Sequence, residues 1–498
     1  LTTDWKRALD PDLTPLFSNL PRPVVYQAFP IELTAQPPAN GWGTAWGGTG
    51  NDFAYAIAVD GTGASYVTGY YGAATDFGGG LRTNLGASDI YLVKFDPNGA
   101  YVWDKVFGNS SAQIGWALAV DSANNLYLGG QIRGDLDFGG GIMSAPTTND
   151  NFLVSFDSNG NWRWQKYLPS TSSVDRVTGI AVDGSNNVYA SMNWSGTADF
   201  GGGIRTGTDS AAESAIGKFT QGGTYVWDKV IRGPSVDVIH AIDVHPTGAV
   251  YATGYFNNTC DFGDGIATPT YPGSTTTTSD AFAYKLDAAG TLLWKKTYGQ
   301  TGSDGSFGTD IAVDPNDGSC VVAGDFTSTV IDLGGGPVGI NPGGSTPRDI
   351  FLVKLNTAGV YQWQAFCASS SGDQQPFVDI DNAGNVLFAG RMQGTYDFGL
   401  GAHGPNPGTF SSSFMVKYTS FGTIQWNSFI DSTDQSATVT PAQAGAYDIV
   451  TDAAGNVWTS GYWYEHADLD PGAAVVPVTN PGNNDAYLVK LVGTTGLW

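Results

Sequence analysis

The chain has 498 residues, with 22 Lys and Arg against 46 Asp and Glu and a formal net charge of −24. Basic residues this few and this dispersed form no phosphate-neutralising stripe, which excludes nucleic acid as a ready partner and disfavours anionic lipid. Hydrophobic residues at 41% and aromatics at 13% suffice for a packed core, and no run of 18 apolar residues offers a membrane span.

Residues 1–41 hold seven prolines and a short apolar run from Val24 to Phe29. Proline at that density opposes regular structure, so the segment reads as an arm that packs on the domain, stays disordered or lies on a neighbouring copy. The chain begins at Leu1 without Met, which is read as a processed mature protein or an engineered boundary. Next comes Trp42–Gly47, WGTAWG, a match to the later Trp103–Gly108, WDKVFG.

A four-strand unit then recurs seven times between Ala54 and Leu491. Its first strand ends in Asp: Ala56–Asp60, Ala117–Asp121, Gly179–Asp183, Asp310–Asp314, Phe377–Asp381 and Asp448–Asp452, with Ala241–His245 as the variant. A tight Gly/Asn turn leads to a second strand such as Tyr66–Gly69. An Asp followed by Phe or Leu comes next, at Asp76, Asp137, Asp199, Asp261, Asp332, Asp397 and Asp468. The third strand, as in Ile90–Phe95, carries a Lys in six units and Ser155 in the second. A turn ending in Gly opens the fourth strand, with Trp four residues on: Trp103, Trp164, Trp227, Trp294, Trp363 and Trp426.

Alternation and β-branched enrichment give four short strands per unit, and units of about 61–72 residues each make one four-stranded blade. One blade cannot bury both faces, whereas blades stacked around an axis can. A buried Trp removes about 150–250 Å² from water, an upper bound of about 4–6 kcal/mol, so one per blade is explained by packing. The fold expected is an all-β, seven-bladed β-propeller over residues 42–498. Its seventh blade lacks a fourth strand, and Trp42–Gly47 is expected to close the ring beside Tyr487–Leu491; Leu497–Trp498 is the alternative start of that strand.

The pattern resembles the bacterial SBBP repeats, named for seven-bladed β-propellers, over roughly Trp42 to Leu491. The resemblance rests on xIAVDxxGNxYxxG, DFGGG, DxFLVK and GxxxW, and it implies fold rather than activity. In strand order the chain is similar to NHL propellers, which implies that the AVD strand is innermost and the last strand outermost. Together with the Gly/Thr/Asn-rich surface, the resemblance implies a secreted or cell-surface protein.

Motifs that carry chemistry are scarce. The Asp-Phe/Leu aspartates recur in every unit and mostly precede glycines, as turn-forming side chains do. DFGGG opens no helix and lacks GKS or GKT, so it is no phosphate loop. His240, His245, His403 and His466 have no metal-ligand spacing, and Cys260, Cys320 and Cys367 read as small apolar residues, with one disulfide as the alternative. No GxSxG, HExxH or EF-hand loop occurs, while a pair of carboxylates for glycoside hydrolysis stays open.

Asymmetry between units is more informative. From the Asp-Phe aspartate to the third strand, blades one and two span 13 residues and blade four spans 19, including Thr268–Ser279. Trp426 to Asp452 takes 26 residues where other units take 18–20, so the elaborated loops are expected on one face over blades four to seven. In the innermost strand the first three blades place small residues two and four before the terminal Asp: Ala56, Ala58, Ala117, Ala119, Gly179 and Ala181. Blades four to seven put one aspartate there instead: Asp243, Asp310, Asp379 and Asp448. Four carboxylates are thus expected along the axis, bonded to backbone N–H groups, water or a basic side chain, or holding a hard cation such as Ca²⁺.

The functional expectation is a non-enzymatic structural or adhesive interaction module with a protein or surface glycan as partner, no cofactor, and self-association through residues 1–41. A glycan-binding propeller and a propeller glycoside hydrolase or lyase are the alternatives.

Overall fold

The computed structural model describes residues 41–496 apart from the short stretches 146–148, 172–174, 208–211, 269–278, 300–304, 328–329, 340–347, 368–373, 404–410, 432–442 and 471–476. The chain divides into two units, Leu1–Gln36 and Pro37–Trp498, and all described residues belong to the second. Residues 1–40 of the arm, which was expected over 1–41, and most of the two elaborated loops lie outside the described residues.

Strands and turns account for the described fold. Asp52–Val59, Ser65–Tyr71, Asp89–Phe95 and Tyr101–Phe107 pair in chain order as one antiparallel sheet. The same quartet recurs from Ile114–Val120, Arg176–Val182, Asp237–Val244 and Ser306–Val313 onward. Two further quartets, starting at Gln374–Ile380 and Gln443–Thr451, are joined into one larger sheet by a single parallel bridge from Ser411 to Gln443. In the last of these, Trp42–Trp46 supplies the fourth strand, with Trp42 opposite Lys490 and Trp46 opposite Ala486. The first strands of successive quartets lie against one another, and Gln443–Thr451 returns to Asp52–Val59. Repeated four-stranded antiparallel sheets in this cyclic order fit a β-propeller.

Local chemistry explains the repeat. The Asp60 carboxylate accepts the amides of Thr62 at 2.9 Å and Ala64 at 3.1 Å and the Tyr66 hydroxyl at 2.8 Å, so one side chain closes the hairpin and anchors the next strand. Asp121 and Asp183 repeat all three contacts. The Asp-Phe aspartates act locally: Asp76 Oδ1 accepts Gly78 N and Gly80 N, each at 2.8 Å, while Phe77 is buried beside them.

Neighbouring sheets are bound by the recurrent Trp, Lys and Gly. Trp103 Nε1 and Lys94 Nζ both donate to Ser158 O of the next quartet, at 3.3 and 3.2 Å. Trp164, Trp227, Trp294, Trp363 and Trp426 reach the corresponding carbonyls of Gln221, Ala288, Thr357, Ser420 and Gly493. The turn glycine must adopt positive φ and accept an indole on its face: at Gly223 (φ 80°) an added Cβ would lie 2.7 Å from Trp164. Where the second quartet has Ser155 in place of Lys, Arg163 from the adjacent strand reaches Ser155 Oγ at 2.9 Å. Cys260, Cys320 and Cys367 are free and buried.

Candidate functional site at the channel mouth

Each first strand breaks its pairing at the same place. The register shifts between Ala54 and Ala56, Gly115 and Ala117, Val177 and Gly179, Ile239 and Ala241, Gly308 and Asp310, and Ala446 and Asp448. The extra residue is therefore Tyr55, Trp116, Thr178, His240, Thr309 or Tyr447. In the strand Gln374–Ile380 the shift spans Gln374 to Phe377, and Gln375 takes a φ of 52°. A bulge turns one side chain away from the pleat. Here all six bulged side chains line a cavity of about 320 Å³, with Arg176, Gln375 and Phe377 completing its wall.

The wall is largely aromatic. Tyr55 stacks on Trp116 with centroids 4.3 Å apart, meets Tyr447 edge-on at 5.0 Å, and lies parallel to Phe53 at 5.6 Å. Tyr447 continues to Tyr462 at 5.2 Å and to Phe377 at 6.5 Å. On the opposite side His240 meets Tyr255 at 5.3 Å, and Tyr255 meets Phe307 at 4.9 Å. Three of these side chains also tie one sheet to the next: Thr178 Oγ1 donates to Ile239 O at 2.9 Å, His240 Nδ1 to Gly308 O at 2.8 Å and Thr309 Oγ1 to Pro376 O at 2.7 Å.

Cationic groups surround the mouth. The Arg176 guanidinium lies 5.1 Å from the Trp116 ring and Arg348 lies 4.8 Å from Phe307. Burial pushes the Arg176 pKa down. Burial also drives His240 down to about 4, against its bond to Gly308, so the imidazole is neutral at pH 7. Its Nδ1–H is then the donor and Nε2 is left as an acceptor.

A narrower cavity of about 240 Å³ is lined by the first strands of all the quartets, and the four predicted aspartates stand on its wall. An innermost strand is a sheet edge whose outward amides lack a ladder partner, and each aspartate supplies one. Asp243 Oδ2 accepts Val313 N at 2.7 Å, Asp310 Oδ2 accepts Val378 N at 2.8 Å, and Asp448 Oδ2 accepts Ile57 N at 2.9 Å. Asp379 Oδ2 accepts both Thr451 N at 2.6 Å and Thr451 Oγ1 at 2.8 Å. In Asp243, Asp310 and Asp448 the second oxygen accepts the following residue's own amide. Each carboxylate thus staples its strand to the next sheet. Burial outweighs these bonds and raises all four pKa values, Asp379 and Asp448 to about 7. Among the described residues no three His, Cys, Asp or Glu side chains converge as metal ligands do.

The aromatic mouth was not anticipated from the sequence, where loop lengths drew attention to blades four to seven. A signal was present: the residue five before the terminal Asp position is Tyr55, Trp116, His240 or Tyr447 in four units. Strict alternation gave no reason to aim those side chains at the axis.

No family model matches the chain. An uncharacterised WD repeat-containing protein of Acanthamoeba polyphaga mimivirus is similar to it, 23% identical over an alignment of 475 residues that covers 78% of this chain and 33% of that protein. The chain therefore spans 33% of the length of the curated relative it matches. Among solved structures, Sqt1 from Chaetomium thermophilum is 12% identical with a TM-score of 0.39, covering 84% of this chain and 96% of its own. Cobalt-substituted Synechocystis ACO is 12% identical with a TM-score of 0.40, covering 93% and 97%. The WD-repeat relative and the repeated four-stranded sheets agree on a β-propeller.

Proposed function

We propose that the chain is a seven-bladed β-propeller of SBBP type that acts as a non-enzymatic interaction module, holding a protein partner at the channel mouth. One observation carries this reading: every first strand, bulged at one level, turns side chains rich in Tyr and Trp into a single mouth walled further by Arg176. Tyr, Trp and Arg dominate the energetics of protein interfaces when they sit at the centre of a patch. His240 is held by Gly308 and the axial aspartates by amides. A secreted or cell-surface location and self-association through residues 1–41 belong to the same reading.

The aromatic rings, the Gln375 amide and the hydroxyls of Thr178 and Thr309 also favour a second reading, in which the mouth binds a sugar. The test is a peptide array and a glycan array probed with the native chain and with a Trp116→Ala/Tyr447→Ala variant. Peptide binding that the variant loses supports the first reading and glycan binding that it loses the second. Binding that the variant retains moves the site away from the mouth.

A further inference from the structure

We infer that the mouth recognises an acidic peptide segment, whose carboxylate seats on Arg176 while flanking apolar side chains meet the aromatic wall. The inference rests on the reading of the mouth as a protein-binding site and specifies its ligand.

Arg176 lacks the carboxylate partner that three other arginines have. Arg82 meets Asp104 at 2.6 Å, Arg205 meets Asp228 at 2.7 Å, and Arg348 meets Asp325 at 3.1 Å. Among the described residues Arg176 has neither a carboxylate within ion-pair distance nor a hydrogen-bond acceptor for its guanidinium, although it is half-buried. A cation taken out of water without a partner is costly, and an incoming carboxylate offsets that cost.

Its geometry is preset. Trp116 is fixed by Tyr55 stacked at 4.3 Å, and the guanidinium rests on the same indole at 5.1 Å. A guanidinium so held offers a planar fork with little entropy left to lose, which suits bidentate bonding to a carboxylate. The axial carboxylates show the opposite state, since each already accepts backbone amides. An acidic group therefore gains more at the mouth than a basic one gains in the channel.

Size and charge narrow the ligand further. A space of about 320 Å³ takes the side chains of one short segment. An arginine without an ion pair on an aromatic wall favours acidic sequences with apolar flanks.

The experiment screens two immobilised hexapeptide libraries against the full chain. Both have randomised flanks; one fixes a central Glu and the other a central Gln, and termini are blocked. The expected result is binding to Glu peptides about ten-fold tighter than to their Gln counterparts, weakened by salt. Arg176→Gln should abolish that difference, Arg176→Lys should retain part of it, and both variants should keep the native melting temperature within a few degrees. If Gln and Glu peptides bind equally and Trp116→Ala abolishes both, the mouth reading stands and the carboxylate inference is overturned. If the Glu preference survives Arg176→Gln, Arg176 is not the anchor. No binding from either library overturns the acidic-peptide inference and the protein-binding reading together.

Discussion

Trp42 Nε1 donates to the carbonyl oxygen of Pro97 at 3.2 Å, and Lys490 Nζ reaches the same oxygen at 3.1 Å. One carbonyl thus gathers a strand from the beginning of the described chain and a strand from its end. Trp426 and Lys417 converge on Gly493 O in the same way, at 3.1 and 3.0 Å. The closing contact therefore has the chemistry of an ordinary contact between neighbouring sheets.

That equivalence fixes what substitution should do. Trp42→Phe keeps most of the ring contact and removes the donor, so it should cost about 1 kcal/mol. Trp46 is 5% exposed and packs against Phe77, Tyr91 and Phe95, so Trp46→Ala should cost about 3–5 kcal/mol. Reversible denaturant unfolding measures both, and a Trp46→Ala loss below about 1 kcal/mol would mean that the clasp contributes little.

The Trp and Gly of the repeat were legible because each unit offers one indole and one turn glycine, and neither can be satisfied within its own sheet. The place of Trp42 followed from WGTAWG repeating the pattern of WDKVFG. The axial position of Asp243, Asp310, Asp379 and Asp448 followed from counting back along the innermost strand. The mouth was hidden because alternation fails there by one residue. In Asp52–Val59 both Ala54 and Ala56 are buried, so period-2 reasoning sends Tyr55 to the solvent side of the sheet instead of the axis. The amides that donate to the axial aspartates were equally hidden, because Ile57 and Asp448 are 391 residues apart.

The staple between Asp448 and Ile57 gives a second prediction. Asp448→Ala leaves an enclosed amide without an acceptor and should cost about 1–3 kcal/mol, whereas Asp448→Asn keeps one oxygen and should cost less. Equal unfolding free energies for the two variants would show that channel water replaces the carboxylate.

Divalent cations should matter little. Asp243, Asp310 and Asp448 each place both oxygens on amides, which leaves few lone pairs directed at a shared ion. Neither EDTA nor millimolar Ca²⁺ should move the melting temperature. A calcium-dependent rise that Asp310→Asn removes would establish the cation reading instead.

Thiol chemistry should report the fold. Burial pushes Cys320 up to about 12 and raises Cys260 further, so neither forms thiolate at neutral pH. A disulfide-exchange reagent should leave the native chain unmodified and react only on unfolding. Fast labelling of the native protein would contradict the burial of these side chains.

Stability should fall as pH rises from about 4 to about 7, because enclosed carboxylates bind protons more tightly in the native state than in the unfolded one. Asp52, Asp175, Asp379 and Asp448 are each pushed by burial to about 7, and Asp325 to about 6 despite Arg348. Between an unfolded value near 3.8 and these native values the native chain holds protons that the unfolded chain has released. Their contribution is complete below about pH 4 and is lost as pH passes through about 7. The opposite group sets the acid limit: hydrogen bonds hold Asp60, Asp121 and Asp381 below the usual range even against burial, so their contribution is lost as pH drops below about 4. The optimum should therefore lie near about pH 4–5, more acidic than is usual for folded domains. Melting temperatures from pH 4 to 8 in one ionic strength test this, with Asp379→Asn/Asp448→Asn as the comparison. The double variant should show a shallower decline across pH 5–7, since Asn has no proton to lose. A melting temperature that climbs toward pH 8 in the native chain would mean that the axial carboxylates are ionised and solvated at neutral pH.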